Sequence, residues 1–313
     1  MVAFFASELS VSSSFLAVIS DESQDISTTE QLSISFRYIR DDFTIQESFL
    51  GFYATVSTTG EAIASLITDA MMRFSFSGEK LRGQAYDGGS NLSGKHIGAQ
   101  AKIKAKFPKA IYVHCYNHCL NLALQDTARK CSWIRDALDL VHGVFTFIKD
   151  SPKRKGMLMD HQDGYASLKP ISQTRWTVRY VSLQKFEQQY VSILATLKEI
   201  SSDKKNSTAA ATASGYANQM RKMEEFFAVA LAKDMFQMTD RVAELLQKPT
   251  ITIFAAKEHI DTLRSSLLHL KENCFQRNWN HTLSVAKEND LTMPNEARPI
   301  TLPAKLGGPG AGK

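Results

Sequence analysis

The chain has 313 residues, 43% of them hydrophobic, which is enough to bury a core in one large or two ordinary domains. Its net charge of +5 and pI near 8.9 are mildly basic, compatible with a nucleic-acid partner without requiring one. No apolar run approaches the ~18 residues that span a bilayer, and MVAFFASELS lacks the basic region of a secretory signal, so neither a membrane nor export is expected.

The first third reads as strand. SFLAVISDE is an apolar run closed by Asp21 and Glu22. LSISFRYIRDD alternates, with Leu32, Ile34, Phe36 and Tyr38 on one face. FTIQESFLGFYAT follows a short acidic turn, so these two strands should form a hairpin. TGEAIASLITDAMMRFSF switches to helical spacing, with Thr58, Thr59 or Gly60 as cap and Glu61 in the first turn. KLRGQAY is a fourth strand ending at Asp87. GKHIGAQAKIKAKFPKA is a short basic helix stopped before Pro108, and AIYVHCY a fifth strand. NHCLNLALQDTARKCSWIRDALDLVHGVFTFIKDS is helical with breaks.

The order is β-β-β-α-β-α-β-α, an α/β sheet mixing antiparallel and parallel pairs. In such a sheet the first and fourth strands can be neighbours. Parallel neighbours lie ~4.8 Å apart, so Asp21 and Asp87 at their ends can face one cation.

The texture changes after Lys149. SPKRKGMLMDHQDGYASLKPISQTRWTVRY reads as loop-rich, and the chain beyond Tyr180 as mostly helical. SSDKKNSTAAATASGYANQ reads as a mobile connection or a weak helix start. The domain reading is a core over 1–150, a junction over 151–179, a helical region over 180–290 and a disordered Pro/Gly-rich tail over 291–313.

The stretch DGGSNLSGKH admits three readings. Asp-Gly-Gly is ordinary turn chemistry. GSNLSGKH approaches a phosphate loop, but His96 stands where the Mg2+-binding Ser or Thr belongs, and a hairpin precedes it. As a strand-end carboxylate, Asp87 pairs with Asp21 to offer hard oxygen donors to Mg2+ or Mn2+.

The four cysteines, Cys115, Cys119, Cys131 and Cys274, form no C-x-x-C pair, which favours a reducing setting. In HCYNHC, His114, Cys115, His118 and Cys119 tempt a zinc reading. No second ligand pair follows at zinc-finger spacing, so no structural zinc is expected. Cys119 reads as a buried small hydrophobe.

Four stretches occur in order: ISDESQDIS, GQAYDGGSNLSG, VHCYNHCLNL and SQTRWTVRY. Together they resemble the hAT superfamily of DNA transposases, and most of all its domesticated relatives, the zinc-finger MYM-type and THAP-repressor-like proteins. The resemblance covers residues 15–197. It implies a ribonuclease-H-like mixed sheet flanked by helices, followed by an α-helical insertion-type region. It implies that two aspartates and one glutamate bind divalent metal; Asp21 falls at the first aspartate and Asp87 at the second. Asp25 lies past the strand end, in solvent or capping a turn. Cys115 and His118 match the family's C-x-x-H motif, which implies that they orient the site or the DNA.

In SQTRWTVRY the resemblance implies that Trp176 stacks on a flipped base, at roughly 1–3 kcal/mol per base. Arg175 would contact a phosphate. Lys95, Lys102 and Lys104, with Lys106 and Lys109, read either as a DNA-facing set or as a solvated helix face.

The family's third acid follows the insertion domain, and the sequence offers no returning-core pattern around Glu224, Glu225 or Glu244. The expectation is a truncated, transposase-derived protein without transposase activity. It would act in the nucleus, or the cytoplasm, on DNA or on a protein partner or second copy, with no small-molecule substrate. Lys153–Lys155 is a weak import signal. The alternatives are a residual metal-dependent nuclease using Asp21 and Asp87, and a helical interaction scaffold with a vestigial core.

Overall fold

The computed structural model describes residues 15–24, 27–162, 179–203 and 205–294. They form two compact units. The first contains the described residues up to Lys130 together with Met238–Ser266; the second contains Cys131–Gln237 and the described residues from Leu267 onward.

The first unit is built on a five-stranded mixed sheet of β1 (Leu16–Gln24), β2 (Glu30–Ile39), β3 (Ile45–Thr55), β4 (Leu81–Tyr86) and β5 (Ile111–His114), in the order β3-β2-β1-β4-β5. β2 pairs antiparallel with both β1 and β3, whereas β4 runs parallel to β1 and to β5. Strict alternation sends Leu32, Ile34, Phe36 and Tyr38 of β2 into the core. Leu16 and Val18 of β1 join them on the same face.

Helix α1 (Gly60–Arg73) covers that face. Of the three candidate caps, Thr59 does the work: its side chain accepts from the Ala62 N–H at 3.3 Å. Ile63, Ile67 and Met71 recur at the four-residue spacing of one helix face and are buried against the sheet. Burial of each such side chain is worth about 1.5–3 kcal/mol. A single-turn helix, α2 (Ser90–Ser93), and the basic α3 (Ala99–Lys106) add Leu92, Ala99 and Ile103 to the same core. α3 ends at Phe107, immediately before Pro108. Helix α4 (Tyr116–Lys130) leaves from the end of β5.

Two glycines clamp the loop that carries Asp87. A Cβ on Gly60 would lie 2.2 Å from the Ile97 carbonyl oxygen and 2.7 Å from the Ala99 nitrogen. One on Gly98 would lie 2.4 Å from the Gly94 nitrogen. The start of α1, the loop and the start of α3 therefore meet backbone to backbone.

The remaining helices are α5 (Ser132–Lys149), α6 (Pro152–Asp160), α7 (Arg179–Gln188), α8 (Tyr190–Ser201), α9 (Ser207–Met220), α10 (Met223–Leu246), α11 (Ile253–Asn273) and α12 (Phe275–Glu288). The end of α10 and the first part of α11 lie within the Met238–Ser266 segment of the first unit, where the Arg37 guanidinium donates to the Ile251 carbonyl. The second unit is organised by an aromatic chain. Phe145 meets Phe186 edge-on at 5.6 Å, Phe186 meets Tyr190 at 5.6 Å, and Tyr190 meets Phe226 at 4.9 Å. The buried Tyr190 hydroxyl donates to the Met220 carbonyl at 2.5 Å.

Two stretches differ from the sequence reading. The loop-rich segment after Lys149 begins with α6, started by the Ser151 side chain accepting from the Arg154 N–H, with Pro152 at the first helical position. The polar, small-residue stretch is the full helix α9. The Asn206 side chain caps it, and Ala213, Ala217 and Met220 bury one face. Alanine's helix propensity outweighs the linker-like composition there. Of the 291–313 tail, the first residues are ordered, with Leu291 buried and Thr292 bridged to Lys222, while residues 163–178 and 295–313 lie outside the described residues.

Candidate functional site

Asp21 does not end its strand as the sequence reading expected: β1 runs on to Gln24, kept in the sheet by its antiparallel pairing with β2, whereas Asp87 does follow the last residue of β4. β1 and β4 are parallel and in register through Ile19↔Ala85. Continuing that register by two residues sets Asp21 level with Asp87, on neighbouring strands ~4.8 Å apart. Asp87 begins the loop directly after β4, and its Oδ1 accepts from the Gly89 N–H at 2.9 Å. The turn reading of Asp87 therefore holds: one of its oxygens shapes the loop that presents the group.

The electrostatics show how close the acids are. Burial pushes the Asp21 carboxyl above its ordinary value of 3.8, and the charge of Asp87 pushes it further. A hydrogen bond from the Glu22 backbone and the proximity of His118 oppose that rise. Glu22 also titrates high, first from burial and then from Asp87, Glu30 and Asp21, against a stabilising bond from Asn91. That bond is short, Asn91 Nδ2 donating to Glu22 Oε2 at 2.6 Å, and Asn91 also donates to the Thr58 carbonyl at 3.0 Å. The other oxygen, Glu22 Oε1, is buried without a hydrogen-bond partner. Glu22 and Asn91 were not marked by the sequence; the adjacent acids in SDES were the only signal for Glu22.

The other wall comes from β5 and α4. The Cys115 N–H donates to the Tyr86 carbonyl at 2.9 Å, and the Tyr112 hydroxyl to the Asp87 carbonyl at 3.3 Å, which pins the two strand ends together. Cys115 itself is exposed, while Cys119 is half-buried and its thiol is pushed up by burial and then by Cys115. His118 stands in the first turn of α4, its ring 5.3 Å from that of His114. Of the C-x-x-H pair, then, His118 lies near Asp21, whereas Cys115 joins the site through its backbone.

The basic residues divide. Lys102 pairs with Glu61 at 2.9 Å. Lys95 is exposed on the turn after α2 and Lys104 is exposed on α3. Lys153 pairs with Asp203 at 2.7 Å. Trp176, Arg175 and Asp25 lie outside the described residues. Among the described residues, no group of three or more His, Cys, Asp or Glu side chains is placed to hold a metal ion. Among them, too, no helix is long and apolar enough to cross a membrane.

The match to known proteins falls on this site. Residues 6–98 match the family model DUF4371, described as the ZMYM1/FAM200 RNase-like domain. That span contains both Asp21 and Asp87, so the sheet is an RNase-like α/β domain. The chain is also similar to the human protein named 52 kDa repressor of the inhibitor of the protein kinase, at 23% identity over 272 residues, 83% of this chain and 36% of that protein. The mouse protein of the same name gives 23% identity over 273 residues, again 83% of this chain and 36% of the relative. The chain therefore spans about a third of the length of the curated relatives it matches.

Proposed function

We propose that this chain is a segment of a hAT-transposase-derived protein that acts in the nucleus as a nucleic-acid-binding module, without strand-transfer activity of its own. What supports the reading is the parallel β1–β4 pairing, whose last pair, Ile19–Ala85, stands two residues before Asp21 and Asp87, inside the span that matches the RNase-like model. The likeness to a protein named as a repressor supports a binding role.

The donor set fits one hard divalent cation, Mg2+ or Mn2+. Two partly solvated carboxylates influence each other, and after burial it is the charge of Asp87 that raises Asp21, a repulsion that a cation would relieve. When bound, such a cation would draw a phosphate oxygen to the strand ends. Asp21 and Asp87 would hold it, the Gly89 N–H would keep Asp87 in place, and Glu22 would be held aside by Asn91. Phosphodiester cleavage by a pair of metals would need a richer ligand set than two carboxylates.

A second reading, a residual metal-dependent nuclease, rests on the same pair of aspartates. One experiment separates them: supercoiled DNA incubated with the protein and Mn2+, alongside binding measured across a salt series. The expected outcome is salt-dependent binding with intact plasmid. Robust nicking that Asp87→Asn abolishes would establish the nuclease instead. Affinity that is absent or indifferent to salt would remove nucleic acid as the ligand and leave a protein partner.

A further inference from the structure

His114 is the last residue of β5, and its Nε2 is buried with no hydrogen-bond partner. His118 follows one helical turn later, in the first turn of α4. The two rings lie 5.3 Å apart, tilted by 35°. Both look onto Gly88. A Cβ built on that glycine would stand 2.9 Å from His114 Nε2 and 3.1 Å from His118 Nε2. The two ring nitrogens therefore flank one point above the β4 loop, and the loop has no side chain there. An imidazole nitrogen removed from water needs a partner: an acceptor if it carries the proton, a donor or a cation if it does not. Nothing within the described protein meets that need at His114.

We propose that His114 and His118 form an open, two-nitrogen site for a borderline divalent transition-metal ion of the Zn2+ class, at the end of β5. Imidazole nitrogen selects Zn2+, Co2+, Ni2+ and Cu2+, whereas Mg2+ takes oxygen donors, so this site is chemically distinct from the aspartate pair. It is not a closed structural zinc centre: the protein supplies two donors, and the remaining positions are open to water or to a ligand oxygen. Closing on the ion asks both rings to approach a point they already flank, with zinc–nitrogen distances of about 2.0–2.1 Å. Gly88 is the third element of the site, because any side chain there would occupy the space of the ion.

The test uses the full chain, stripped with chelator and titrated with Zn2+ alone, the melting temperature being read at each step; Co2+ absorption reports nitrogen ligation independently. Zn2+ should raise the melting temperature saturably. Removing a direct donor should weaken the apparent affinity by at least the roughly tenfold that loss of an outer-shell partner costs. His118→Gln and His114→Gln should each do so, and Gly88→Ala should do so with both histidines intact. Asp21→Asn and Asp87→Asn should leave the Zn2+ response in place, so that failure of the aspartate site and failure of this one are told apart. The metal-free melting temperature of each variant separates lost binding from lost folding. If His114→Gln destabilises the metal-free protein, His118→Gln and Gly88→Ala carry the test. The proposal is overturned if Zn2+ gives no saturable response, if the double histidine variant responds like the parent, or if Asp21→Asn alone abolishes the response.

Discussion

Asp21, inside β1, and Asp87, first residue of the loop after β4, each lie two residues past the last parallel pair of the two strands, Ile19–Ala85. Burial first, and then the charge of Asp87, penalise the ionised Asp21 carboxyl while no cation lies beside it. Asp21→Asn should therefore raise the melting temperature of the metal-free protein at neutral pH. The same substitution should erase the rise that Mn2+ produces in the parent. Thermal melts with and without Mn2+ check both halves; a metal-free loss of stability would contradict the repulsion.

Gly60 and Gly98 hold the Asp87 loop by backbone contact, and the neighbours a methyl group would strike are themselves backbone atoms. Such atoms cannot swing aside as a flexible side chain does. Gly60→Ala and Gly98→Ala should each cost about 1–3 kcal/mol, the range for overpacking. Urea midpoints at unchanged slope measure the loss. Gly156, with nothing near its Cβ position, is the control, and its alanine variant should be neutral or slightly stabilising within α6.

The strands were legible because β2 alternates without a break and β1 opens on the apolar run Leu16–Ile19. Chain order then made β1 and β4 natural neighbours. Thr59 was one of three candidate caps, and only geometry chooses among residues of similar capping chemistry. What the sequence hid depends on distance along the chain. Glu22 is tied to Asn91 by a bond spanning 69 positions, and no local pattern announces it. The facing of His114 and His118 onto Gly88 is likewise a product of the fold. Helix α9 was obscured for another reason: Ser, Thr, Ala and Gly compose linkers and small-residue helices alike, and only the burial of Ala213, Ala217 and Met220 separates the two.

The lysines should not contribute equally to nucleic-acid binding. Lys102 shares its ammonium with Glu61, whereas Lys95 and Lys104 are exposed. Each phosphate neutralised adds ~0.9 to the slope of log affinity against log salt. Lys95→Ala and Lys104→Ala should each reduce that slope by about this amount, and Lys102→Ala by less. Fluorescence anisotropy on a labelled duplex over a salt series gives the three slopes. Equal effects at all three positions would show that the Lys102–Glu61 pair opens on binding.

In the helical unit, Glu225 sits in the first turn of α10, where the helix N-terminus favours its charge. Lys222 favours it too, yet burial, with Asp136 and Glu224, wins and lifts the carboxyl above its ordinary 4.5. A carboxyl raised on folding binds more protons in the folded state than in the unfolded one. Its contribution to stability is therefore complete below 4.5 and is lost as the pH climbs through the folded-state value. Glu225→Gln should then be more stable than the parent at neutral pH, and the advantage should shrink as the pH falls toward 4.5. Solvent screens a half-buried group and the helix dipole offsets part of the cost, so the gain should stay below about 1 kcal/mol. Chemical denaturation of both proteins across this range measures it. A variant less stable at neutral pH would mean that the dipole and Lys222 outweigh burial.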